Sequence, residues 1–119
     1  MKYMALIYSS ASSGDDPVPG TPEFDAYMAP WIALDQRLRE DGVFVAGEAL
    51  MPVETATSLR IRGGKTETMD GPFAETKEQL GGFYILDCPD LDTALKYAAM
   101  IPVAGHGTIE LRPVMALDF

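Results

Sequence analysis

Two stretches of this chain repeat apolar residues every three or four positions, and the segments around them read as short strands. A helix with one apolar stripe buries that stripe against another layer, here a sheet. In the first stretch Phe24, Tyr27, Met28, Trp31, Leu34, Asp35 and Leu38 fall on one face, and all but Asp35 are apolar. Thr21 offers an N-cap, Pro22 suits the first helical position, and Glu23 and Asp25 complement the positive end of the helix. The Met and aromatic stripe is expected to be core. Pro30 lacks a backbone N–H, so it should kink this helix or split off its first turns. Gly42 should end it. In the second stretch Leu91, Ala94, Leu95, Ala98 and Ile101 form the expected face, with Asp90 as N-cap and Pro102 as the stop.

Strands fill the rest. Lys2 to Ser9 is rich in β-formers and is followed by a polar loop from Ser10 to Gly20. Val43 to Pro52 reads as a second strand, in which Gly47 points to a bulge or a close backbone approach. Thr57 to Gly71 reads as a hairpin turning at Gly63–Gly64. Gly81 to Cys88 is the most apolar strand and is expected at the centre of the sheet. Thr108 opens a last strand. The order is strand, helix, strand, hairpin, strand, helix, strand. It suits an α+β fold of split β-α-β type, with helices on one face of a mainly antiparallel sheet. The other face is then bare and apolar, and a second copy is expected to cover it.

With 119 residues the chain is one domain, and 47% hydrophobic residues suffice for a core. The formal net charge of −9 repels phosphate backbones and anionic lipid, so neither nucleic acid nor membrane is an expected partner. The apolar run from Tyr3 to Tyr8 is shorter than a signal core and contains two tyrosines; it is read as the first strand of a cytoplasmic protein. A single cysteine, Cys88, excludes an internal disulfide framework.

Thr68 to Leu86, TMDGPFAETKEQLGGFYIL, is the most unusual stretch. An aspartate in a turn usually accepts from the N–H two residues on, but after Asp70 that residue is Pro72, which has none. Gly71, before proline, is expected to be extended, and Phe73 is expected to anchor the loop in the core. The stretch is either a solvated surface turn, a polar site around Asp70, Glu75 and Lys77, or a surface for a protein partner.

Elsewhere the candidates are single residues. Glu48 interrupts an apolar strand, and Glu110 and Arg112, two apart, share a strand face. They read either as a structural pair at a dimer seam or as part of a polar cavity in which Arg112 anchors an anion. Tyr8 and Tyr84 could line such a cavity or serve as core tyrosines. His106, between two glycines, is a weak candidate for acid–base chemistry beside Asp70, and an exposed loop histidine otherwise. Nothing has the spacing of a metal motif, and Glu48, Asp70 and Glu110 would hold a metal only if folding gathered them. Cys88 has no basic neighbour in sequence to activate it. Gly-Gly-Lys-Thr at residues 63–66 lacks the spacing and the following helix of a phosphate loop.

DGPFAETKEQLGGFYIL, with MKYMALIY at the start, GVFVAGEAL after the first helix and IELRPV near the end, resembles the YCII-related family, specifically its DGPF branch. The resemblance covers nearly the whole chain. It implies a single domain over residues 1–119, ferredoxin-like, of the dimeric α/β-barrel type, in a cytosolic bacterial protein that forms a homodimer through its sheets. It implies no cofactor and no established activity. Members of the branch are often encoded beside extracytoplasmic-function sigma factors, which makes a sigma factor the implied partner of a non-catalytic regulatory module. A better-known branch carries a His–Asp pair proposed as catalytic, with its histidine early in the chain. Here the only histidine is His106, so the pair is not carried over and enzymatic activity stays open. The expected function is binding of a small polar ligand between the sheets of the dimer, near the DGPF loop, by Glu48, Asp70, Glu75, Lys77 and Arg112.

Overall fold

The computed structural model describes residues 1–10 and 17–118. The elements are β1 (Lys2–Ser10), α1 (Pro22–Glu40), β2 (Phe44–Ala49), β3 (Thr57–Arg62), β4 (Lys65–Asp70), β5 (Glu78–Asp87), α2 (Leu91–Ala98) and β6 (Thr108–Pro113). Short 3-10 turns lie at Val53–Thr55 and Pro102–Gly105. Most of the loop expected between Ser10 and Gly20 falls outside the described residues, and Ser10 itself belongs to β1.

Four strands form one sheet in the order β2-β5-β1-β6, and β3 and β4 form a separate two-stranded ribbon. All pairings are antiparallel. The four-stranded order, with a helix after its first and third strands, is consistent with a ferredoxin-like α+β fold, and β3–β4 is a hairpin inserted between its second and third strands.

Both helices lie on one face. Tyr3, Ala5 and Ile7 of β1 are buried in one cluster with Leu34 and Leu38 of α1, Leu86 of β5, and Ala94, Tyr97 and Ala98 of α2. On the opposite face Met4, Leu6 and Tyr8 alternate with them, and the register sets Met4 beside Ile85 and Leu6 beside Phe83. These five stay half-buried, and no described element lies over them.

The caps form as the sequence requires. Thr21 Oγ1 accepts from Phe24 N–H at 3.3 Å, and Asp90 Oδ1 accepts from Thr93 N–H at 2.8 Å. Gly63 and Gly64, with φ of +56° and +77°, make the two-residue hairpin turn.

Four expectations need correction. Pro30 does not split off the first turns of α1, which runs as one helix from Pro22 to Glu40. The face of α2 is turned from the expected one: Leu91 and Leu95 are about half exposed and Tyr97 is buried. Tyr97 can go inside because its hydroxyl donates to Asp41 at 2.7 Å, leaving no orphan polar group. Gly71 has φ +90°, so glycine is needed there for a left-handed backbone and not for an extended one. Phe73 is 87% exposed and anchors nothing in the core of its own chain.

Candidate ligand-binding site

Only Leu34 and Leu38 of the α1 stripe are fully buried. Trp31 is half-buried against the core, Met28 is half-buried, and Tyr27 is 50% exposed. Toward its N-terminus, α1 therefore stands off the sheet. A cavity of about 600 Å³ opens beneath it, between α1 and the β2–β5 side of the sheet. Tyr27, Trp31, Phe44 and Tyr84 give it aromatic walls, and Asp35 and Arg39 are its charged side chains.

The polar side of the cavity is an ordered chain of contacts. Arg39 Nε donates to Asp35 Oδ2 at 2.9 Å, one helical turn back. The same guanidinium lies 4.1 Å from the Phe44 ring centre, a cation–π arrangement. Phe44 meets Tyr84 edge to face, with centroids 6.4 Å apart at 74°. Burial pushes the Tyr84 hydroxyl above its ordinary pKa, and the negative charge of Asp35 adds to the rise. No described group hydrogen-bonds that hydroxyl, so it is a neutral donor open to an incoming acceptor.

Two glycines make room for this wall. A Cβ on Gly47 would lie 2.7 Å from Tyr84 Cδ1, so the ring occupies the place a side chain would take. A Cβ on Gly82 would lie 2.7 Å from the Glu48 carbonyl oxygen, so β2 and β5 approach only because Gly82 has none. The close approach expected at Gly47 is thus present, while the bulge of β2 lies at Val45, between Phe44 and Ala46.

Of the five residues expected to bind ligand, Glu48 borders this cavity through its strand, but its register with Phe83 sets its side chain on the helix-free face; the others lie elsewhere. Arg112 stands on the helix-free side of β6, opposite Met4, where its Nη2 donates to Glu110 Oε1 at 3.4 Å. Asp70 ends β4 and is exposed, and no described donor meets its carboxylate. Glu75 and Lys77 are exposed in the loop that follows. Tyr8 and Tyr84 project from opposite faces of the sheet, so they do not line one cavity. His106 is exposed after the second 3-10 turn. Cys88 is buried, and burial, reinforced by Asp87, raises its thiol pKa, which disfavours the nucleophilic thiolate. Among the described residues no three His, Cys, Asp or Glu side chains gather to hold a metal, and Glu48, Asp70 and Glu110 stay apart.

The residues sequence reasoning passed over are Trp31, Tyr27, Asp35 and Arg39, all assigned to the core or to no role. One signal was present: Asp35 is the lone charge in an apolar stripe, and Arg39 lies four residues on.

An antiparallel ferredoxin-like sheet with two helices on one face and an aromatic cavity beneath the first helix defines a small α+β domain built around a pocket. The YCII-related domain matches residues 1–118, and the chain belongs to the YCII-related family. An uncharacterised protein of Rhizobium meliloti (strain 1021) is 37% identical over 114 residues, covering 92% of each chain. No helix among the described residues is long and apolar enough to cross a membrane.

Proposed function

We propose that this protein is a cytoplasmic homodimer of the DGPF branch that binds a small molecule with an apolar, planar body and one acceptor group. The cavity under α1 carries this reading. It has the volume of a small-molecule site, mostly apolar walls and few convergent polar groups. The aromatic walls would stack on the ligand body, and the neutral Tyr84 hydroxyl would donate to its acceptor. The DGPF motif supports the branch, and the bare apolar sheet face supports dimerisation of the α/β-barrel type.

A site at the DGPF turn, with Asp70, Glu75, Lys77 and Arg112 brought together at a dimer seam, competes with this location. One experiment separates them. Trp31 is the single tryptophan, so a ligand entering the cavity changes its fluorescence. Titration with small aromatic carboxylates and phenols is expected to give saturable quenching. Gly47→Ala, which pushes the Tyr84 ring toward the cavity, is expected to weaken binding about tenfold or more, roughly 1.4 kcal/mol, while Asp70→Ala leaves it unchanged. Loss in Asp70→Ala with retention in Gly47→Ala would move the site to the turn.

The second reading is a regulatory module without chemistry that acts with a sigma factor. It is favoured by the apolar side chains that the β3–β4 hairpin exposes.

A further inference from the structure

Arg39 lies in the last turn of α1 and lines the cavity. Its guanidinium is held from two sides: Nε donates to Asp35 Oδ2 at 2.9 Å, and Cζ sits 4.1 Å from the Phe44 ring centre. Asp35 engages Nε alone, and no described acceptor meets Nη1 or Nη2. The side chain is 59% exposed, so these donors are open to an incoming group. A planar guanidinium with free N–H groups is the side chain best matched to a carboxylate. No other described Lys or Arg lines the cavity. The net charge of −9 disfavours anions over the molecule as a whole, so a preference for an anion at this site has to come from Arg39.

A second donor belongs to the same end of the cavity. Phe44, which carries the guanidinium on its ring, also meets the Tyr84 ring at 6.4 Å between centroids. Tyr27 marks the other end, about 18 Å back along α1. Between the two ends the sheet offers little side chain, because Ala49 faces Gly82 across the β2–β5 ladder. Small residues at these paired positions leave room for a flat body against the strands. The cavity is thus polar at the Arg39 end and apolar along the rest of its length.

We propose that Arg39 makes the cavity selective for planar aromatic carboxylates. The ring of the ligand lies over Ala49 and Gly82, one carboxylate oxygen accepts from the Arg39 guanidinium, and the other accepts from the Tyr84 hydroxyl. Asp35 is a positioning residue that fixes the guanidinium through Nε and leaves its other nitrogens to the ligand. Hydrogen bonds between a guanidinium and a carboxylate are stronger than those between neutral partners, so a neutral ester or amide of the same shape binds less tightly. This inference rests on the ligand reading above and narrows it, from any acceptor group to an anionic one.

The test follows the indole N–H signal of Trp31, the single tryptophan, in two-dimensional NMR spectra of the full chain labelled with nitrogen-15. Three probes of one shape are titrated: cinnamate, methyl cinnamate and cinnamamide. The dispersion of the same spectra shows that each variant is folded. Cinnamate is expected to bind the parent at least tenfold more tightly than the ester or the amide. In Arg39→Gln its dissociation constant is expected to rise to that of the ester. Equal affinity of the three probes for the parent, or a preference for cinnamate that survives Arg39→Gln, would overturn the proposal and leave the ligand reading standing. Equal weakening of all three in Arg39→Gln would show that the side chain only supports the wall, and would also overturn it. If none of the probes shifts the Trp31 signal, the ligand reading falls and this inference falls with it.

Discussion

Asp41 joins two elements through one carboxylate. Its Oδ2 accepts from Arg37 Nε at 2.7 Å and from the Tyr97 hydroxyl at 2.7 Å, tying the end of α1 to α2. These two bonds, Arg37 first, hold the Asp41 carboxyl below its ordinary pKa. A carboxyl depressed by folding stabilises the fold above its unfolded value of about 4, and the gain is lost as pH falls through the folded value. Asp41→Asn is therefore expected to lower the thermal midpoint at neutral pH, with the difference from the parent shrinking below about pH 4; melting curves from pH 2 to 8 check it. A constant difference would mean that the carboxylate's charge contributes nothing. At this scale the single polar residue in the α1 stripe was visible in the sequence, and its role was not. The pairing of Asp35 with Arg39 is local to α1, but whether Asp35 comes near Tyr84 depends on where β5 lies, and nothing local to α1 states that. Phe73 errs in the other direction: a large apolar residue in a turn reads as an anchor, yet its own chain offers it no cavity.

Helix α2 has only eight residues, too few to hold its shape by backbone bonds alone. Its N-cap does more than satisfy one donor, because Asp90 Oδ1 accepts from both the Thr93 N–H and the Thr93 hydroxyl. Asp90→Ala is expected to lower the urea midpoint with an unchanged slope. Caps and turns were the most legible features of the chain, since each is settled within four residues. Thr21, Asp90, Gly42 and the Gly63–Gly64 pair all act where the sequence placed them. The side of a helix that meets the sheet was less legible. On α2 the positions 94, 97, 98 and 101 compete with 91, 94, 95, 98 and 101. Hydrophobicity favours the two leucines, but the Asp41 bond brings Tyr97 inside. Pro30 likewise does not split α1 as a local rule alone would allow.

The molecule is thin, 22 Å in its shortest direction, which is the depth of one sheet and one helix layer. Met4, Leu6, Tyr8, Phe83 and Ile85 form an apolar band across the centre of the uncovered face, with Glu48, Glu110 and Arg112 toward its edges. An apolar centre with a charged rim is the anatomy of a protein interface. Phe83→Asp is expected to shift the protein toward monomer in sedimentation velocity at micromolar concentration, with its circular dichroism retained. A parent chain that already runs as a monomer there would remove the basis for sheet-face pairing. Strand count, the two helices and the one-sided cover could be read from periodicity, cap residues and turn glycines, because these are short-range effects of backbone geometry and side-chain shape. The strand order, the stand-off of α1 and the cavity beneath it could not. They arise where Tyr84 fills the space Gly47 leaves and where Asp41 meets Tyr97, contacts between residues far apart in the chain that only close packing brings together.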